Sequence, residues 1–97
     1  MPAVTRIGDL DIPHCSGMVR EGGSTNVFVN GIGVSRQGDV NTVHTFPAGL
    51  VCPTHKQPIT IGSTTVKVNS KGCGRIGDAI TACTAVAQGS TNVFAGG

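Results

Sequence analysis

A chain of 97 residues, 38% hydrophobic and 12% charged, has room for one domain with a modest core, and its sparse charge and mildly apolar average do not suit a disordered chain. The formal net charge is +2 with no run of Lys or Arg, which argues against nucleic acid as a partner. Fifteen glycines and only three aromatic residues, Phe28, Phe46 and Phe94, argue for many turns rather than long helices.

The first twenty residues contain Arg6, Asp9 and Asp11 and lack an apolar stretch, so no secretory signal peptide is expected. No apolar run approaches the length of a membrane span. The chain is therefore expected to fold in the cytosol, where thiols stay reduced, and its four cysteines read first as metal ligands or core residues. Arg-x-Gly-Asp first occurs at Arg6-Ile7-Gly8-Asp9 and recurs at Arg36-Gln37-Gly38-Asp39 and Arg75-Ile76-Gly77-Asp78. Its Gly supplies an unusual backbone angle, and its Asp is suited to bind nearby amides in a turn.

A second block follows each copy, beginning Gly23-Ser24-Thr25-Asn26-Val27-Phe28, then Gly62-Ser63-Thr64-Thr65-Val66-Lys67, then Gly89-Ser90-Thr91-Asn92-Val93-Phe94. Within these blocks Val27 and Val29, Val66 and Val68, and Val93 and Ala95 alternate with polar or aromatic residues. That is the period of a half-buried strand, with the valine face toward the core. The opposite face carries Lys67 where its sisters carry Phe28 and Phe94, so it is expected to be exposed or to dock a partner. Asn30-Gly31 is a two-residue turn signal, and the chain is expected to return through Val34. Three hairpins, each with a loop, suggest an all-β, pseudo-threefold body in a single domain over residues 1–97. Internal repeats of this kind set the fold before any single element does.

The spacing from each Asp to the next Gly-Ser varies, so the scaffold is constant and the loops differ. Five residues after the Asp stand His14, His44 and Cys83. Three such side chains at one repeat phase can converge on one cation, and a tetrahedral site needs a fourth ligand. The longer middle loop offers Cys52 and His55. Donors of this softness suit zinc better than magnesium or calcium. Cys15 has Thr45 and Thr84 as repeat equivalents, and Cys73 has Val4 and Val34, so both read as packed residues rather than ligands.

The repeated Gly-Asp and Gly-Ser-x-x-Val-x-x-Asn-Gly blocks, with the opening Met1-Pro2-Ala3-Val4 and the Asp9-to-His14 spacing, resemble a PAAR-repeat protein over essentially the whole chain. The resemblance implies a small conical β-fold around one structural zinc held by His14, His44, His55 and Cys83. It also implies a structural role: one monomer capping a trimeric β-helical spike, the VgrG trimer of type VI secretion or the homologous phage-tail spike, for membrane puncture. Such a cap is expected to assemble in the cytoplasm and leave at the tip of the tube or on a virion. Any effector is expected to bind separately, since the chain leaves no room for an effector extension. Lys67 and Ser70 depart from the simplest pattern. The expected docking residues are Phe28, Lys67 and Phe94.

Two other classes fit the sequence less well. A metalloenzyme needs an open metal position and a base, yet Glu21 is the only glutamate and lies outside the ligand phase. No motif of nucleophilic or phosphate chemistry is present. A zinc-binding interaction module for nucleic acid would need paired Cys knuckles or basic clustering, which are absent. The chain is expected not to be an enzyme.

Overall fold

A computed structural model of the chain describes residues 1–13, 17–43, 56–81 and 83–97, and in it each Arg-x-Gly-Asp copy makes the same tight turn. The Asp9, Asp39 and Asp78 amides donate to the carbonyls of Arg6, Arg36 and Arg75 at 2.9, 2.9 and 3.1 Å. Gly8, Gly38 and Gly77 have φ of 89°, 90° and 90°, the left-handed value that the third position of a type II turn demands. Each Asp carboxylate then accepts from its own motif's Arg amide, at 2.8, 2.7 and 2.8 Å. It also takes the Arg Nε and Nη2 as a two-pronged pair. The motif is thus a self-contained clip, made rigid by charge-assisted hydrogen bonds.

Among the described residues two two-stranded hairpins form, the first where Asn30-Gly31 predicts its turn. Strands β1 (Phe28–Val29) and β2 (Ile32–Gly33) pair antiparallel, as do β3 (Lys67–Val68) and β4 (Lys71–Gly72). Asn30 and Gly31 have φ of 55° and 76°, and Asn69 and Ser70 have 53° and 68°, the two positive angles of a type I′ turn. Ser70 therefore holds a conformation that favours Gly. Gly33 and Gly72 also lie against backbone: a Cβ on either would collide with the carbonyl of Ser24 or Ser63.

The third block differs from expectation. No turn follows Phe94; instead Ala3 pairs with Phe94, and the Ala95 amide donates to the Pro2 carbonyl at 3.0 Å. The N-terminal segment supplies the return strand, so the third hairpin is assembled from both ends of the chain. Ser24, Ser63 and Ser90 organise the three blocks alike. Each hydroxyl oxygen accepts from the amides two and three residues on, a turn that competes successfully with regular structure. Ser24 and Ser90 donate across to the Asn69 and Asn30 side chains at 2.7 and 2.6 Å, and Ser63 donates to the Gly96 carbonyl. A backbone oxygen thus does at Gly96 what an Asn side chain does in the other two blocks.

The apolar core at this end contains Val4, Val34, Val68, Cys73 and Ala95, with Val29 and Val93 packed against it. Cys73 lies among its repeat equivalents Val4 and Val34, a small buried hydrophobe. Burial pushes its thiol above the ordinary value, with the charge of Asp78 adding to this and that of Arg75 opposing it. One detail of the alternation fails: Val27 and Val66 are exposed. Both precede the strands and close the Ser turn through their amides, so the inward face begins only one turn later, at Val29 and Val68.

Bridges link the copies in order. Arg6 pairs with Val34, Arg36 with Cys73 and Arg75 with Val4. Each of these partners stands two residues before the next motif's Arg, and the last pairing returns to the first copy. The loop roots do likewise: Arg20 pairs with Asn41, Ile59 with Ile80 and Val86 with Asp11. A second apolar cluster of Ile59, Ile80 and Val86 lies here, with Cys83 packed on it. The described residues contain strands and bridges and no helix, so the architecture is all-β. The radius of gyration is 12.7 Å, close to the ~12.5 Å expected of a compact chain this long.

Candidate metal centre

Of the four candidate ligands, Cys83 alone falls among the described residues. His14, His44 and His55, and the alternative Cys52, lie outside them, as does Cys15. Among the described residues no group of three or more His, Cys, Asp or Glu is placed to hold an ion.

Cys83 sits in a short reversal after the third motif. Its amide donates to the Ile80 carbonyl at 3.0 Å, and the Ile80 amide donates to the Thr84 carbonyl at 2.7 Å. The sulfur is half-buried against Ile59, Ile80 and Val86. Burial pushes the thiol above its ordinary value; a hydrogen bond with Asn41 and the charge of Arg20 pull it back, while Asp11 adds to the rise. A thiol held protonated in this way is a weak nucleophile, and it becomes a ligand by giving its proton up to a metal. Once deprotonated, a thiol is a soft donor of the kind zinc takes.

The groups around Cys83 are ones that the ligand spacing does not reveal. Arg20 and Asp11 form an ion pair at 3.7 Å, and both side chains are wholly buried. Arg20 Nη2 donates to the Asp39 carbonyl at 3.3 Å, while its Nε and Nη1 make no hydrogen bond among the described residues. Burial pushes Arg20 below its ordinary value; Asp11, Asp39 and Cys83 oppose that. Asn41, also wholly buried, donates to the Met18 sulfur at 3.2 Å and accepts from the Gln57 amide at 3.0 Å. A signal for two of these was present in the repeat: Asp11, Asn41 and Ile80 each stand two residues after their motif's Asp, and all three are buried.

At the opposite end lie the three residues expected to dock a partner. Phe28 and Phe94 are 56% and 49% exposed, and Lys67 is exposed as well. They occupy matching places: Phe28 opposes Gly33, Lys67 opposes Gly72 and Phe94 opposes Ala3.

Comparison with known proteins adds no relative: no family model matches the chain, and no curated protein matches it significantly.

Proposed function

We propose that this chain is a PAAR-type spike tip: a pseudo-threefold, metal-braced cone that caps a trimeric β-helical spike and sharpens it for membrane puncture. The observation that carries the reading is the order of the inter-copy bridges. Each copy pairs with the next and the third pairs back to the first, at both the motif turns and the loop roots. A single chain with three like faces is suited to a partner with three identical subunits.

In this reading His14, His44, His55 and Cys83 hold one structural zinc. Bound zinc would tie the loops together, and its binding free energy, on the order of 10 kcal/mol for structural sites, would add to folding. A chain whose described residues form two small apolar clusters gains from such a brace. The end bearing Phe28, Lys67 and Phe94 docks on the spike. The cap assembles in the cytoplasm and travels outward on the tube or virion. No catalytic step is assigned.

Native mass spectrometry of the chain mixed with the trimeric spike protein from the same genome tests this. One chain and one zinc per trimer is expected, and Cys83→Ala is expected to lose the zinc. No complex, or one with three chains per trimer, overturns the cap reading; full zinc in Cys83→Ala overturns the ligand set.

A further inference from the structure

Every Asp, Glu, Lys and Arg of the chain is among the described residues, so the charge can be followed pair by pair. Each of the five acids has a cationic partner among the described residues: Arg6 with Asp9, Arg20 with Asp11, Arg36 with Asp39, Lys56 with Glu21 and Arg75 with Asp78. Seven cations less five acids leave a net +2, and the two cations outside these pairs are Lys67 and Lys71. Both belong to the β3–β4 hairpin, Lys67 on β3 and Lys71 on β4, and both are exposed. The whole net charge of the protein therefore sits on one hairpin. The corresponding positions elsewhere are apolar: Phe28 and Ile32 on the first hairpin, and Phe94 and Pro2 in the third block.

We propose that the β3–β4 hairpin reads carboxylates on the docking partner, while the first hairpin and the third block meet the same partner through apolar contact. This rests on the spike-tip reading above. Two lysines are too few to hold nucleic acid, where tight binding takes several phosphate contacts. At about 1 kcal/mol per Lys they are also too few to hold a membrane. Charges bordering exposed Phe and Ile side chains match the rim of a protein interface. On a homotrimer, any carboxylate that meets Lys67 or Lys71 recurs twice more, opposite Phe28 with Ile32 and opposite Phe94. Buried, those two copies would be desolvated without a partner. The carboxylates must therefore lie at the wet edge of the interface, where an unpaired charge costs little and a paired one adds a modest, salt-sensitive attraction.

The test is affinity for the purified trimeric spike protein from the same genome, at low and at high salt. Wild-type affinity is expected to fall with salt. Reversal in Lys67→Glu with Lys71→Glu is expected to weaken low-salt binding by roughly tenfold. Lys67→Phe with Lys71→Ile, which copies the first hairpin, is expected to lose the salt dependence of binding. If wild type binds and the reversal leaves affinity and salt slope unchanged, the charge assignment falls and the cap reading stands. If wild type binds no spike at all, both fall.

Discussion

The two ends of the molecule solve the same packing problem with different chemistry. At the hairpin end the repeat equivalents Val4, Val34 and Cys73 are all small and apolar, and they fill one cluster. At the loop-root end the equivalents Asp11, Asn41 and Ile80 are equally buried but chemically unlike, and Arg20 is enclosed with them. A buried ion pair rarely stabilises more than a well-packed apolar group would, yet the loss of one partner strands the other. The hairpin end is thus tolerant of small losses, whereas the loop-root end depends on complete sets of partners.

The largest expected effect follows from that contrast. Arg20→Met should cost about 3–5 kcal/mol of stability in chemical denaturation, because it leaves the Asp11 carboxylate buried without its cation. Adding Asp11→Leu should recover most of the loss. Equal stability of the single and double variants would mean that the two charges are not coupled. At the other end, Val34→Ala should cost about 2 kcal/mol, the transfer of two methyl groups with a partial cavity. A cost above that of Arg20→Met would erase the distinction between the ends. The smallest effect is a gain: Ser70→Gly should raise stability by about 0.5–1 kcal/mol, because φ of 68° suits Gly better than Ser. An unchanged or lower melting temperature would show that the second turn is not strained.

The scaffold was more legible in the sequence than the site. Asn30-Gly31 marked its hairpin because few residues accept two consecutive positive φ angles, and Cys73 could be placed in the core because its equivalents are valines. The third hairpin was misread because its return strand comes from the far end of the chain; a local turn signal cannot report such a pairing. Val27 and Val66 were misread because alternation does not show where a strand starts, and here a Ser side chain decides that. Arg20 escaped notice because a lone arginine is usually solvated, and nothing near it in sequence indicates burial. The two-residue offset from the motif Asp marks Asp11 and Asn41, whereas the five-residue offset of the metal donors does not.

The pairing of Ala3 with Phe94 also governs when folding can finish. A ribosome releases Ala3 long before the block that pairs with it. Until Phe94 emerges, Ala3 and Val4 have no neighbour on that side, and their unpaired amides and carbonyls form an open edge of the kind that invites association between chains. Local clips and hairpins can form early, but the final closure joins residues far apart in sequence and pays nearly the full loop-closure entropy of the chain. Refolding is therefore expected to be limited by this last seam, and a nascent chain is exposed to self-association until Phe94 has emerged.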